Sequence, residues 1–234
     1  MKSIDRTYVE NQTKKDAIHL LLTGSASLVP IVGDIIKFIF EDPAMKRRDD
    51  WIQSLAERIQ KLEENNIKIE DLKDNENFIS AVFYASSIAV KTHSKEKHAI
   101  LLNALTNTAL ITSADETKQI IFLNLINEFT ELHILLLRFF RNPEFYIKSI
   151  YNNQSPQFFS SITSSYLNLF LKQNDKLNIT NEIIFLLTNF LHSNGLISID
   201  SQSISNSLTL NGLKEKRTTT LGDEFIDFIK NPFK

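Results

Sequence analysis

Apolar positions recur with helical spacing along most of the chain. The clearest case is the series Trp51, Leu55, Ile59 and Leu62, with intervals of four, four and three residues. Such intervals place side chains on one face of an α-helix, while the charged residues between them face solvent. The pattern predicts a solvated helix within residues 41–65, with Pro43 as its first helical residue.

Capping residues mark where some of the other predicted helices begin. Ser113 and Glu116 form a capping box, in which each side chain binds a backbone N–H at the start of the helix. Thr130 is a typical N-cap for the next apolar run, and Pro143 ends that run. The remaining helices are predicted over residues 2–22, 76–92, 94–110, 144–152 and 157–172.

The most apolar stretch covers residues 17–40, which is about the length that spans a bilayer. Gly24, Pro30 and Gly33 interrupt it, and it contains charged residues, so we favour a helical hairpin buried in the protein core. Reversible membrane insertion and a permanent span are the alternatives, although a charge at the bilayer centre is costly. The candidate membrane or interface residues are Leu28, Val29, Ile31, Ile35 and Phe38.

A different pattern occupies the C-terminal part of the chain. Residues 181–194 predict an apolar helix, which Gly195 ends because glycine readily adopts left-handed backbone. LISID (196–200) and SLTL (207–210) alternate like short strands and predict a small β-hairpin. TTTLGDEF (218–225) then starts a closing helix. This order of helix, hairpin and helix resembles bacterial winged-helix domains, and the resemblance implies a winged-helix fold.

These elements predict a mainly α protein with two domains. The first, residues 1–128, is expected to be a helical bundle that includes the apolar hairpin 17–40. The second, residues 129–234, is expected to be winged-helix-like with a small β-hairpin. The chain has only five Gly and five Pro among 234 residues, which also favours helices over a turn-rich all-β fold.

The charges of the C-terminal domain bear on what it binds. A winged helix reads DNA through basic and amide side chains on its recognition helix and through a basic wing. Residues 181–194 contain no Lys or Arg, and residues 130–234 hold ten basic and nine acidic residues. We therefore predict weak DNA binding and favour a protein partner. The candidate contact residues are Thr188, Asn189, His192, Lys214, Lys216 and Arg217.

The composition excludes several kinds of chemistry. The chain has no cysteine, so disulfides, thiolate nucleophiles and cysteine-bound metals are excluded. Phosphate-loop, dinucleotide-binding and nucleophile-elbow motifs are missing from the sequence, and His93 and His98 are spaced too far apart to share a helix face. We expect no catalytic site, metal or cofactor. The N-terminal residues mix both charge signs, unlike a signal peptide, so we expect a cytoplasmic protein.

A second resemblance lies in the middle of the chain. A pair of apolar helices with a charged turn is followed by a further apolar helix and by NEFTELHILLLRFF, over residues 78–140. This order, with the motif LLNAL, resembles the helical region of the abortive-infection alpha family of bacterial phage-resistance proteins. The resemblance implies a role in phage defence or stress response and carries over no catalytic residues.

Three functional hypotheses follow from these patterns. The first is a non-enzymatic bacterial interaction protein that binds a protein partner or itself. The second is a winged-helix DNA-binding regulator that uses the basic cluster Lys214, Lys216 and Arg217. The third is a membrane-active effector that acts through residues 17–40.

Overall fold

The computed structural model describes residues 45–110, 116–152 and 154–233. This part of the chain is mainly helical, which confirms the predicted fold class: it contains eleven α-helices, three short 3-10 turns and two two-residue strands. The predicted hairpin 17–40, its five candidate interface residues, Pro43 and the capping residue Ser113 all lie outside the described residues.

The described residues divide into two compact units, the first made of residues 45–127 with residues 228–233 and the second of residues 128–227. The helices of the first unit are α1 (Met45–Glu64), α2 (Ile69–Lys73), α3 (Glu76–Lys91), α4 (Lys95–Leu110) and α5 (Glu116–Glu128), whose last residue belongs to the second unit. Helices α1, α3 and α4 pack against one another.

The predicted apolar stripe of α1 is confirmed as its core face. Trp51, Leu55, Ile59 and Leu62 are 0%, 1%, 8% and 1% exposed. The indole N–H of Trp51 donates a 2.9 Å hydrogen bond to the Ser86 hydroxyl on α3, which satisfies the polar atom that burial would otherwise leave unpaired.

The last residues of the chain complete the first unit. The Asn107 side-chain amide donates to the carbonyls of Phe228 and Lys230, at 2.7 and 2.9 Å, and the Asn103 amide donates to the carbonyl of Ile229 at 3.1 Å. These carbonyls lie at the end of a helix, where no backbone N–H remains to bind them. Two asparagines one turn apart on α4 therefore cap the C-terminal helix.

The second unit contains most of the short elements. They are α6 (Glu131–Arg141), α7 (Pro143–Ile150), α8 (Pro156–Ser161), β1 (Thr163–Ser164), α9 (Tyr166–Gln173), α10 (Asn181–Ser193), β2 (Leu208–Thr209) and α11 (Thr220–Phe228), whose last residue belongs to the first unit. Single 3-10 turns lie at Asp175–Leu177, Ser203–Ser205 and Gly212–Lys214.

The predicted helix boundaries at Thr130 and Pro143 are confirmed. Thr130 is the N-cap of α6, and its backbone N–H donates to Nδ1 of His133 at 3.1 Å. His133 is 8% exposed and stacks on Phe129, with ring centroids 5.0 Å apart, so it is a buried residue of α6. α6 ends at Arg141, and Pro143 is the first residue of α7.

The predicted β-hairpin is wrong. β2 pairs antiparallel with β1, Thr163 opposite Thr209 and Ser164 opposite Leu208, so SLTL does not pair with LISID. Ile197 instead forms an isolated bridge with Thr218. The physical reason lies between Ile197 and Thr218. The 3-10 turns Ser203–Ser205 and Gly212–Lys214 bury Ile204 and Leu213, and Leu210 between the two turns is buried as well, each at 0% exposure. An extended hairpin arm would leave such apolar residues in solvent.

Two glycines permit the close packing around α10 and α11. Gly195 has a φ of +70°, the left-handed conformation that the sequence predicts at the end of α10. At Gly222 in α11, an added Cβ would lie 2.0 Å from the backbone oxygen of Leu196. Only glycine fits at this approach of α11 to the backbone after α10.

Candidate interaction surface

Helix α10 is the centre of the predicted contact surface, and only one of its faces is buried. The buried residues are Ile184, Leu187, Thr188 and Leu191, which recur at helical spacing. On the other side, Leu186 is 64% exposed and Ile183 is 41% exposed. Asn189 and His192 are also exposed, as the sequence predicts.

The prediction that Thr188 contacts a partner is wrong. Thr188 is 0% exposed, and its hydroxyl donates a 2.7 Å hydrogen bond to the carbonyl of Ile184, one turn earlier. The reason is its position, because residues 184 and 188 share a helix face and that face packs into the core. A buried threonine hydroxyl at this site finds its hydrogen-bond acceptor on the backbone of its own helix.

The solvent face of α10 is apolar at its centre and polar at its ends. Glu182 lies in the first turn, where its own backbone N–H and the Thr180 hydroxyl lower the pKa of its carboxyl. The positive end of the helix dipole also favours a carboxylate there. His192 lies in the last turn. The centre between them is Leu186, so the helix presents an aliphatic side chain where a DNA reader would present cations or amides.

The predicted basic cluster lies before α11, and its members differ in their contacts. The Lys216 ammonium lies 2.5 Å from Oδ2 of Asp223, and the Arg217 guanidinium lies 2.7 Å from Oε2 of Glu215. Arg217 Nε also donates to the hydroxyl of Tyr166 at 2.9 Å. Two of the three cations therefore interact with carboxylates of the same loop and helix.

Lys214 has a different neighbour. Its ammonium lies 4.7 Å from the ring centroid of Phe159 on α8. Within the described residues it makes no ion pair, whereas Lys216 and Arg217 do. Lys214 is thus the member of the cluster that forms no ion pair with any described residue. Its charge still acts at longer range: after the hydrogen bond and charge of Lys148, it contributes to lowering the pKa of the Glu144 carboxyl.

Asp223 connects the loop to two helices. Partial burial alone would raise the pKa of its carboxyl, but hydrogen bonds from Lys216 and Thr218 and the charge of Arg141 lower it below its usual value. The Thr218 hydroxyl donates to Oδ1 at 2.6 Å, and Arg141 Nε lies 3.7 Å away. The carboxylate neutralises positive charge that a nucleic-acid surface would leave exposed.

The sequence predicts an apolar helix over residues 181–194 but does not show that Leu186 and Ile183 face solvent. The signal was weak because residues 183–187 are all apolar, and a continuous apolar run does not reveal which members face solvent. The polar residues that flank the run give better information. Glu182 and Asn189 lie one turn on either side of Leu186, and both are exposed.

His98, one of the histidines considered as a possible metal ligand, makes contacts within the first unit. A ring nitrogen of His98, Nε2, lies 2.8 Å from the carbonyl oxygen of Ala89, and the ring contacts Trp51 with centroids 5.8 Å apart. No group of three or more potential metal ligands occurs among the described residues.

In the part of the chain that the structure describes, no single helix is long and apolar enough to cross a membrane. Helices α5 and α6 pass such a test only when they are taken together.

Comparisons with known proteins identified no related protein. No protein-family model matches the chain, and no curated protein or solved structure matches it.

Proposed function

We propose that the second unit is a protein-binding module and that the solvent face of α10 is its contact surface. The observation that carries the proposal is the exposure of Leu186, 64%, at the centre of a helix face without lysine or arginine. Aliphatic side chains exposed together on one helix face are a common feature of protein contact sites. The chain acts by binding, without catalysis.

The chemistry of the helix face defines its partner. The partner is a protein that covers Leu186 and Ile183 with an apolar surface and places a basic residue near Glu182. Burial of a leucine side chain contributes about 1.5–3 kcal/mol, so covering the exposed part of Leu186 contributes about 1–2 kcal/mol. Its truncation to alanine should weaken the complex by about five- to thirtyfold.

We propose further that the second unit is winged-helix-like in the order of α10 and α11, although the β-hairpin predicted between them does not form. Its helix α10 takes the place of the recognition helix, with protein in place of DNA as its ligand. DNA binding is the less favoured alternative, because Lys216 and Arg217 already pair with Asp223 and Glu215. The resemblance of residues 78–140 to the abortive-infection alpha family favours phage defence as the setting. A plaque assay with and without the intact gene tests that setting.

The substitution Leu186→Lys separates the two ligand classes. A lysine at 186 lies one turn after Glu182, a spacing that stabilises helices, so the fold should be kept. It places a charge in the apolar contact and should abolish capture of the protein partner. If α10 instead lies on DNA, the same lysine should strengthen binding to duplex DNA at low salt.

A matched control is available on the first unit. Ile121 on α5 is 46% exposed, so Ile121→Lys makes the same kind of change on another surface. We expect Ile121→Lys to capture the same proteins as the wild type, and Leu186→Lys to lose one of them. The proposal would be refuted if the wild type, Ile121→Lys and Leu186→Lys captured the same proteins. It would also be refuted if Leu186→Lys bound DNA more strongly than the wild type.

A further inference from the structure

A row of aromatic rings with a lysine at each end crosses the surface of the second unit, apart from α10. The Lys172 ammonium lies 4.3 Å from the ring centroid of Tyr151. The rings of Tyr151 and Phe158 are 5.6 Å apart, and those of Phe158 and Phe159 are 5.9 Å apart. The Lys214 ammonium ends the row, 4.7 Å from the Phe159 ring. We call these five residues the lysine–aromatic row.

Local sequence signals place the rings side by side. Ser155 caps α8 by accepting a 3.3 Å hydrogen bond from the backbone N–H of Phe158, and Pro156 is the first residue of that helix. This start turns Phe158 toward Tyr151, which follows α7 directly, and Phe159 is the next residue of the helix. All three rings are half-buried, so each keeps an accessible apolar surface.

The two lysines differ from the cations of this unit that form ion pairs. Lys148 pairs with Glu144 at 3.0 Å, and Lys216 pairs with Asp223 at 2.5 Å. In the described ranges, by contrast, Lys172 and Lys214 form no ion pair and lie over ring faces. An exposed cation–π contact is weak, so each ammonium can turn to an anionic ligand while its stem stays on the ring.

We propose that the lysine–aromatic row binds an acidic peptide segment, in which apolar side chains lie on the rings and carboxylates at both ends pair with Lys172 and Lys214. Charge complementarity supports this ligand, because the row is apolar in the middle and positive at its two ends. An extended peptide advances by about 3.3 Å per residue, so a short segment spans three rings. The site is separate from the contact proposed for α10.

The ring geometry favours a peptide over single-stranded nucleic acid. Bases need flat, open ring faces on which to stack. Here neighbouring rings are inclined by 52° and 89°, and lysines cover faces of the two outer rings.

A nearby cavity of about 410 Å³ does not contribute to this site. It is lined by Pro156, Gln157, Ser160 and Ser161. These positions lie on the opposite side of α8 from Phe158 and Phe159, as the helical repeat requires.

The test uses fluorescence anisotropy with a labelled synthetic peptide. The peptide carries Asp-Glu at one end, Leu-Ile-Leu in the middle and Glu-Asp at the other end. Lys172→Met and Lys214→Met should each weaken binding about two- to fivefold, as expected for loss of one exposed ion pair, and the double variant about tenfold. The stems remain in these variants, so thermal unfolding should be unchanged.

The control variant is Lys176→Met. Lys176 is exposed in the 3-10 turn Asp175–Leu177, four residues after Lys172, and among the described contacts it lies over no ring. Its loss should change the affinity less than twofold. Phe158→Ala tests the apolar middle of the row and should weaken binding about tenfold.

Three results would overturn the proposal. One is the absence of saturable binding up to about 1 mM peptide. Another is equal binding of a peptide in which lysines replace the acidic residues. The third is tighter binding of a uridine decanucleotide than of the acidic peptide, with loss in the Lys172→Met and Lys214→Met variants, which would assign the row to single-stranded RNA.

Discussion

Replacement of Arg217 tests whether the basic loop serves the fold of the second unit. Its guanidinium donates to the Tyr166 hydroxyl at 2.9 Å and lies 5.5 Å from the centroid of the Tyr166 ring. Tyr166 is 1% exposed, and its hydroxyl also donates to the carbonyl of Glu215 at 3.2 Å. Arg217→Met keeps the apolar stem and removes the charge, so it isolates these contacts.

The expected loss of stability follows from the exposure of each contact. A hydrogen bond from a charged donor contributes about 1.5–3 kcal/mol, and we take about 1 kcal/mol because the Arg217 side chain is 26% exposed. The cation–π contact adds about 0.5–1 kcal/mol. The ion pair to Glu215, which is 67% exposed, adds at most a few tenths of a kcal/mol. The free energy of unfolding should therefore fall by about 2 kcal/mol.

Urea unfolding followed by far-UV circular dichroism measures this change. Arg217→Lys keeps the charge but loses the planar stacking, so it should lose about half as much stability. Lys176→Met, at an exposed lysine, should leave the unfolding midpoint unchanged. A second readout is the phenol of Tyr166: burial raises its pKa and Arg217 lowers it, so Arg217→Met should raise that pKa further.

An unchanged unfolding midpoint in Arg217→Met would refute this reasoning. It would mean that the contacts to Tyr166 contribute nothing and that the cation is available to a ligand. The DNA-binding alternative would then gain, since it needs an unpaired Arg217.

Three further substitutions test other parts of the structure by urea unfolding. Asp223→Asn should lower the free energy of unfolding by about 1–2 kcal/mol at pH 7. The pKa of Asp223 is lowered in the folded state, so the stability difference is fully present above the unfolded-state pKa of about 3.9. The difference disappears as the pH falls through the folded-state pKa. An equal difference at both ends of that range would contradict the assigned contacts. Gly222→Ala should destabilise the second unit by about 3 kcal/mol or more, since its Cβ would overlap the Leu196 carbonyl, and a stable variant would exclude that close approach. Asn107→Leu removes two hydrogen bonds that cap the C-terminal helix, so the free energy of unfolding should fall by about 1–2 kcal/mol and C-terminal proteolysis should be faster. The control is Asn124→Leu, at an exposed residue of α5.

The features predicted correctly from the sequence are local. The stripe Trp51 to Leu62 depends only on helical periodicity, and the start of α6 depends on Thr130 next to an apolar run. Gly195 adopts the left-handed backbone for the same local reason. Each of these signals lies within one helix or at its end, and the structure confirms all of them.

The errors concern contacts that local sequence does not determine. SLTL pairs with Thr163–Ser164 because the turns after α10 bury Ile204 and Leu213, and alternation alone does not choose a partner strand. Thr188 was assigned to the solvent face because it is polar, yet a hydroxyl can bind the preceding turn of its own helix. The lysine–aromatic row brings together residues from the end of α7, from α8 and α9, and from the turn Gly212–Lys214. No sequence motif predicts it.

In the proposed function, α10 contacts a protein through Leu186. The most direct measurement places a photo-crosslinking residue at position 186 in the intact chain, with position 121 as the control. We expect one discrete adduct with a protein from position 186 and none from position 121. An adduct with nucleic acid, or the same products from both positions, would contradict this contact.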